Sequence, residues 1–277
     1  MSYKTILTVL TNENQHKQLD SAIAMTRRED AHLDVFCLGV DHTQSGYYYA
    51  GASAYVFQET IDKAIAAADA LEQRVREKLH AEDVRWSVDS AVAQIGGLST
   101  LVGMRARYSD LVVLARPYGE GASPDAEAIT EAALFEGSSP VLIVPEMLSE
   151  PFGKKILIAW NQSSEALAAV RRALPLLKAA ESVEITVIDP SPHGPERSDP
   201  GGALCQLLTR HGVNAEIAVL ARTLPQVSDI MIRRVTEIGA DMVVMGAYGH
   251  SRFRQAILGG ATRNMLEKAQ VPVLMAR

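Results

Sequence analysis

The 277-residue sequence contains few cysteines and no long apolar run, and each shortage excludes a class of protein. Its two cysteines, Cys37 and Cys205, lie far apart and outside any Cys-x-x-Cys pattern, so neither a redox site nor a zinc site is predicted. No apolar run is long enough to cross a membrane, and the N-terminus leads into a strand pattern without the layout of a signal peptide. The sequence therefore predicts a cytoplasmic protein without a membrane partner.

Basic residues are in the minority, with 27 Lys and Arg against 33 Asp and Glu, which gives a formal net charge of −6. This balance argues against nucleic-acid binding as the main role. Aromatic residues make up only 5% of a chain that is 47% hydrophobic, so Ala, Val, Leu and Ile carry most of the apolar content. That composition suits helices packed on parallel strands, and the length suffices for two domains.

Catalytic and metal-binding patterns are missing as well. The sequence has no Gly-x-Ser-x-Gly, no lysine after its glycines in the manner of a P-loop, and no His/Cys metal spacing. We therefore expect a binding protein rather than an efficient enzyme, with no catalytic residue and no metal ligand.

An internal repeat organises the chain. Ile6–Thr11 aligns with Ile156–Asn161, and Asp110–Leu114 aligns with Asp241–Met245. The first copy is longer because of a Tyr-rich insertion at 45–57, for which three roles stay open: a cover for its own cleft, a contact with the second copy, or another binding surface.

Within each copy, short apolar runs alternate with helical patterns, which predicts βαβ units and a parallel sheet covered on both faces. The fold class is therefore α/β, with two Rossmann-like doubly wound domains of five parallel strands each, at 1–147 and 153–277. In such sheets ligands bind beyond the carboxyl ends of strands one and four, where the strand order reverses. The predicted strands are 4–10, 33–40, 84–91, 110–115 and 140–144 in the first domain, and 155–160, 183–189, 213–220, 241–246 and 272–276 in the second.

Glycines follow the fourth strand of the second copy. Gly246-Ala-Tyr-Gly249 is separated by nine residues from Gly259-Gly260-Ala261-Thr262, where a helix is predicted to begin. Glycines between a strand end and a helix start let backbone N–H groups approach a phosphate, and the helix N-terminus adds partial positive charge. The alternative is that they only allow tight turns and close packing; the spacing favours binding.

This Gly-x2-Gly-x9-Gly pattern, with the closing Val-Pro-Val-Leu-Met, resembles the universal stress protein family over two domains in tandem. The resemblance implies that the glycines bind the phosphates of ATP, and that strands one and two carry the adenosine contacts, including an Asp at the end of strand one. It also implies an intrachain pseudo-dimer joined through the last strands, Val141–Val144 and Val273–Ala276. Further association into a homodimer stays open.

The second copy departs from the family pattern at several positions. Gly260 stands where many members have Ser, although Thr262 offers a hydroxyl nearby. Asn161 stands at the Asp position, where it either contacts ligand or caps the next helix. Trp160 stacks on a base or, as we favour, forms core or cleft wall, while Asp189 either approaches the adenosine or caps the turn before Pro190.

His250, Arg252 and Arg254 lie in the nine-residue spacer, from which they could reach phosphates. The candidate nucleotide-binding residues are therefore Trp160, Asn161, Asp189, Gly246, Gly249, His250, Arg252, Gly259, Gly260, Ala261 and Thr262.

The first copy has lost the motif. Counting from the flanking strands, Ala115 stands for Gly246, Glu127 for Gly259 and Ala128 for Gly260, while Thr11 takes the Asp position. A carboxylate where a phosphate would rest repels it, so this copy is predicted not to bind nucleotide.

The leading interpretation is a cytoplasmic stress-response regulator whose second domain binds ATP or another adenine nucleotide, with an accompanying Mg²⁺ left open. One alternative is a nucleotide-free interaction protein that works through protein partners. Another is a weak ATPase, since a bound ATP without an activated water would turn over slowly.

Overall fold

The computed structural model describes residues 2–42, 54–94, 96–119, 121–145, 148, 151–190, 198–247 and 260–277, with the backbone alone at 54–57. The Tyr-rich insertion thus lies outside the part whose side chains are described. The chain divides into two compact units. The N-terminal unit comprises Tyr3–Pro117 and Gly121–Ser139, and the C-terminal unit comprises Pro140–Arg277 and takes in Tyr118 and Gly119.

The N-terminal unit has four strands in the order β3-β2-β1-β4, and every pairing that the structure describes among them is parallel. Its strands are β1 (Thr5–Leu10), β2 (His32–Asp41), β3 (Arg85–Gln94) and β4 (Leu111–Ala115). Its helices are α1 (His16–Glu29), α2 (Ala54–Leu79), α3 (Leu98–Ala106) and α4 (Ala126–Glu131), which continues as a π-helical turn over Ala132–Glu136.

The C-terminal unit has six strands in the order β5-β10-β9-β6-β7-β8. They are β5 (Val141–Val144), β6 (Lys155–Trp160), β7 (Ser182–Ile188), β8 (Ala215–Leu220), β9 (Met242–Gly246) and β10 (Val273–Ala276). The pairs from β10 to β8 are parallel, whereas β5 is antiparallel to β10. The helices are α5 (Ser164–Ala179), α6 (Gly202–Arg210), α7 (Val227–Ile238) and α8 (Ala261–Lys268).

The position of β5 bears on the expected division into two five-stranded sheets. Its apolar run, Val141–Val144, is predicted as the fifth strand of the first domain. In the structure it is grouped with the C-terminal unit, where it pairs antiparallel with β10 and Leu142 lies opposite Leu274. The expected contact between the two last strands is confirmed. The apolar run predicts a buried strand, but its direction depends on a partner 132 residues away, at Leu274.

The core follows from residue spacing. The central strands are near-continuous apolar runs because both faces of a parallel sheet are covered; Ile156, Leu157 and Ile158 of β6 are at most 1% exposed. On α5 the buried residues recur every three or four positions, which gives the helix one apolar face. They are Ala166, Ala169, Val170, Ala173, Leu176 and Leu177.

The strand order places one switch point in each unit. In the N-terminal unit it lies between β1 and β4, and in the C-terminal unit between β6 and β9, because the chain leaves these paired strands in opposite directions. The carboxyl ends of these strands are where ligands of doubly wound sheets bind. None of the helices in the described ranges has the length and hydropathy that a membrane crossing requires.

Candidate functional site

A cavity of about 270 Å³ lies at the switch point of the C-terminal unit. Strand ends of β6, β7 and β9 form one side, and the starts of α7 and α8 form the other. The described lining contains no charged side chain. The lining residues are Ala159, Trp160, Asn161, Ile188, Val227, Ser228, Met231, Val243, Met245, Gly246, Ala261 and Met265.

Two polar atoms of this lining are buried without a hydrogen-bond partner. They are the indole Nε1 of Trp160 and the hydroxyl Oγ of Ser228, and they are the only such side-chain atoms in the described ranges. Trp160 is 7% exposed and Ser228 is 2% exposed. Since an unpaired buried polar group costs about 1–3 kcal/mol, their presence together in one cavity calls for a ligand or bound solvent.

Two helices begin at the cavity without a side-chain cap. Gln226 precedes α7 and its side chain accepts no bond from the first turn, while Gly260, which precedes α8, has no side chain to do so. The first residues of these helices, Val227 and Ala261, line the cavity. Free N–H groups at a helix start carry partial positive charge, so this side of the cavity favours acceptor atoms.

Asn161 lies at the exposed rim of the cavity, directly after β6. Its side-chain Oδ1 accepts a hydrogen bond of 3.2 Å from the backbone N–H of Ser163. The N-cap of α5 is Ser163 itself, whose Oγ accepts from Ala166 N at 3.1 Å. The N-cap alternative for Asn161 is therefore wrong by two residues: Asn161 shapes the turn that leads to the cap.

Gly246 ends β9 where α5 packs directly against the strand. A Cβ at this position would lie 2.6 Å from the backbone nitrogen of Ala166 and 2.8 Å from the carbonyl carbon of Glu165. Only glycine fits without moving the helix. Close packing on α5 is thus a sufficient reason for this glycine, which also lines the cavity.

The other described candidates divide between the cavity and its surroundings. Trp160 forms cavity wall, as favoured from the sequence. Asp189 is exposed with a left-handed φ of 48°, and Ile188 rather than Asp189 lines the cavity. Thr262 is 7% exposed and Ala261 takes the lining position beside it, while Gly260 supplies backbone at the start of α8.

Five residues predicted to contact phosphates lie outside the described residues: Gly249, His250, Arg252, Arg254 and Gly259. The described lining is therefore the apolar part of the candidate site. In the same ranges, no three His, Cys, Asp or Glu side chains come together in a way that could hold a metal ion.

Comparison with known proteins identifies this part of the chain. Residues 153–277 match the universal stress protein family. The chain carries a universal stress protein domain. A curated universal stress protein of Synechocystis sp. is 25% identical over 139 residues, which span 50% of this chain and 47% of that protein. The chain thus matches about half the length of this relative.

Solved structures extend the likeness in fold to the whole chain. A universal stress protein from Archaeoglobus fulgidus aligns over 100% of this chain and 97% of its own, with a TM-score of 0.71 and 16% identity. A functionally unknown protein from Pseudomonas aeruginosa PAO1 aligns over 99% and 92%, with a TM-score of 0.60 and 15% identity. Both show an α/β, Rossmann-like fold.

The switch point of the N-terminal unit differs from that of the universal stress protein domain because its side chains hydrogen-bond to one another and to the strand ends. Thr11 Oγ1 lies 3.0 Å from Ser123 Oγ, and Gln15 Oε1 accepts from Thr11 N at 2.7 Å. The buried amide of Gln18 donates to Thr8 Oγ1 at 2.9 Å and to Val9 O at 2.8 Å. Its oxygen accepts from Ala115 N at 2.9 Å, so this amide joins β1 to β4.

The helix start in the N-terminal unit carries an acidic residue. Asp125 is the N-cap of α4, in the place that Gly260 has before α8. Counting back from the last strand paired Gly260 with Ala128, but the N-cap of α4 lies three residues before Ala128, and the helix continues as a π-helical turn. Asp125 is 6% exposed, and burial raises the pKa of its carboxyl. His42, whose Nε2 lies 3.6 Å from Asp125 Oδ2, lowers this pKa and so offsets part of the increase.

Ser228 was not among the predicted site residues of the universal stress protein domain. The sequence did hold a signal for it: Ser228 precedes Met231 by three residues and Val235 by seven, so it lies on the buried face of α7. A serine on an apolar helix face near a strand end is a candidate for ligand contact.

Proposed function

We propose that the universal stress protein domain binds ATP or another adenine nucleotide, with the base in the switch-point cavity. One observation carries the proposal: this apolar cavity contains two buried polar atoms, Trp160 Nε1 and Ser228 Oγ, that lack partners. Binding pockets typically combine an apolar lining with a few polar groups that orient the ligand.

The lining suits the base better than the phosphates. Trp160, Ile188 and Met231 offer apolar and aromatic surface to a planar ring, and the described lining has no charge to attract a phosphate. A volume of about 270 Å³ is at the small end for a ligand pocket. The phosphates would therefore extend past the rim, towards the start of α8 and the predicted phosphate contacts beyond it.

We further propose that the N-terminal unit is a second, degenerate copy of the domain in a tandem arrangement that forms an intrachain pseudo-dimer. The polar side chains at its switch point hydrogen-bond within the unit, and we expect one nucleotide site per chain. The protein would act in the cytoplasm as a stress-response regulator that responds to nucleotide rather than consuming it.

Calorimetric titration with ATP, ADP, AMP and adenosine tests the proposal in the wild type and in Gly260→Asp. The aspartate is a good N-cap, so α8 should be stable, but its charge at the helix start repels phosphate. We expect Gly260→Asp to lose ATP affinity by about tenfold or more while its adenosine affinity changes little.

Gly260→Ser is the matched control, because serine caps the helix without charge and should keep ATP affinity. Absence of heat with any of these ligands at millimolar concentration in the wild type would contradict the proposal. Equal loss of ATP and adenosine affinity in Gly260→Asp would contradict the placement of the phosphates.

A nucleotide-free interaction protein is the second candidate. It is favoured by the engagement of Asn161 in a turn and by the packing of Gly246 on α5, since both explain these residues without a ligand. A partner captured equally with and without ATP, together with no heat in the titration, would favour it. Slow ATP hydrolysis stays a prediction.

A further inference from the structure

We infer that Trp160 and Ser228 determine which ring the cavity accepts, through one hydrogen bond from the indole N–H and one made by the serine hydroxyl. The inference rests on the proposed function, because it assumes that the cavity takes the base of a nucleotide. It adds that two residues outside the glycine motif recognise the ring by hydrogen bonds.

The position of Ser228 explains why its hydroxyl has no partner among the described residues. Other helical hydroxyls of this chain bond to the carbonyl four residues earlier; examples are Ser21, Thr26, Thr130, Thr209 and Thr236. Ser228 is the second residue of α7, so no helical carbonyl precedes it by one turn. A hydroxyl at this position, 2% exposed, is available to the cavity.

Trp160 is constrained in a different way. Its indole can only donate, so the nitrogen needs an acceptor atom, and none lies within reach among the described residues. The backbone of Trp160 is fixed in β6 beside Val187 of β7, which holds the ring at the cavity wall. A ligand ring with a nitrogen or carbonyl acceptor facing this wall would satisfy it.

Two such groups select ligands by exclusion. A ring without the matching acceptor would bury the indole N–H unpaired, which costs more than a missing apolar contact. Apolar walls tolerate rings of similar size, so the two polar atoms are where discrimination arises. The same unpaired atoms destabilise the empty domain, so removing one should raise stability while it lowers selectivity.

Affinities of nucleotide analogues for paired variants test the inference. The ligands are ATP, its 1-deaza, 3-deaza and 7-deaza analogues, which each lack one ring acceptor, and purine riboside triphosphate, which lacks the 6-amino group. The proteins are the wild type, Trp160→Phe and Ser228→Ala. We expect the wild type to lose about tenfold in affinity for one deaza analogue, and Trp160→Phe to bind that analogue and ATP within about twofold.

For Ser228→Ala we expect the same convergence between ATP and a different analogue of the set. Its melting temperature without ligand should be unchanged or higher by about 2 °C, because a buried unpaired hydroxyl is removed. Ser99→Ala is the matched control: Ser99 is also the second residue of its helix, α3, but it is exposed, so neither selectivity nor stability should change.

Fluorescence of a variant with a single tryptophan tests the position of Trp160 independently. The chain has two tryptophans, so Trp86→Phe leaves Trp160 as the only one, and ATP should change its fluorescence. If the wild type binds no nucleotide, the proposed function fails. If it binds ATP but both variants rank the analogues as the wild type does, the inference is overturned and the binding stands.

Discussion

At the N-terminal switch point the side chains of Thr11, Gln15 and Gln18 bond to their surroundings, whereas at the C-terminal switch point Trp160 and Ser228 each bury a polar atom without a partner. The sheets around these two places have the same strand order where they can be compared, β2-β1-β4 and β7-β6-β9. The strand order is thus the same at both places, and the difference between them lies in the hydrogen bonding of a few side chains.

The difference also concerns the helix that follows the crevice. Before α4 stands the buried carboxyl of Asp125, and before α8 stands Gly260 with no side chain. One helix start therefore carries a negative group, and the residue before the other has no side chain. A nucleotide phosphate would meet repulsion at the first and the partial positive charge of the helix N-terminus at the second.

The largest expected effect comes from removing the Gln18 side chain at the switch point of the N-terminal unit. Gln18→Ala should lower the free energy of unfolding by about 3 kcal/mol, because it leaves a cavity and removes the acceptor of the backbone N–H of Ala115. Urea unfolding measures the loss. The variant should still bind no nucleotide at the N-terminal unit, since Asp125 remains; a second ATP site in calorimetry would show that Gln18 alone closes it.

A glycine–alanine exchange between the two units should have the next largest effect. Gly246→Ala places a methyl 2.6 Å from Ala166 N and should cost about 2 kcal/mol, with a loss of nucleotide affinity as α5 shifts. Ala115→Gly, at the matching strand end, should cost only about 0.5–1 kcal/mol. Equal costs in thermal unfolding would mean that the strand–helix approach is not specific to the C-terminal unit.

How much of this could be predicted from the sequence depends on the range of the interaction. Local patterns predicted β6 at its observed bounds, 155–160, and predicted α8 at 260–269 against the observed 261–268. The π-helical turn after α4 was not predicted, so counting back from the last strand matched Ala128, rather than the N-cap Asp125, with Gly260. Its five residues continue the apolar pattern of the helix, so periodicity does not distinguish it.

The candidate site was predicted less well than the fold. The glycine motif pointed to the strand ends where the described cavity lies, yet it directed attention to phosphates, while the lining of that cavity is apolar. Ser228 was missed because motif reasoning examined loops, and this serine lies in a helix. Whether a polar atom finds a partner depends on the packed structure, so no sequence pattern could show that Trp160 Nε1 is unpaired.

The smallest expected effects concern pH, and their sign should differ between the units. In the C-terminal unit, Arg234 of α7 holds Glu184 of β7 through Nε–Oε1 and Nη2–Oε2 contacts of 2.9 and 2.6 Å. Burial pushes the pKa of Glu184 up, but the bonds from Arg234 and Thr186 outweigh it, so the pKa is lowered. This stabilisation is full above the unfolded value of about 4.3 and is lost as pH falls through the folded pKa.

In the N-terminal unit the pKa of Asp125 is raised by burial, so its ionised form disfavours folding near neutral pH. That cost is relieved as pH falls through the raised folded value towards about 3.9. At pH 7 we expect Glu184→Gln to lose about 1–2 kcal/mol and Asp125→Asn to gain a smaller amount. Thermal unfolding from pH 4 to 8 measures both, and changes of the same sign would contradict the contrast.

The antiparallel pairing of β5 with β10 separates two meanings of the word domain in this chain. The stretch that matches the universal stress protein family begins at residue 153, after β5 has ended. A shortened polypeptide starting there would keep every strand of the family match but lose the strand that hydrogen-bonds to β10 on its far side, baring the backbone of Val273–Ala276. The compact unit, which takes in Pro140–Arg277, thus begins earlier in the sequence than the family match, and the strand Val141–Val144 belongs to the first but not to the second.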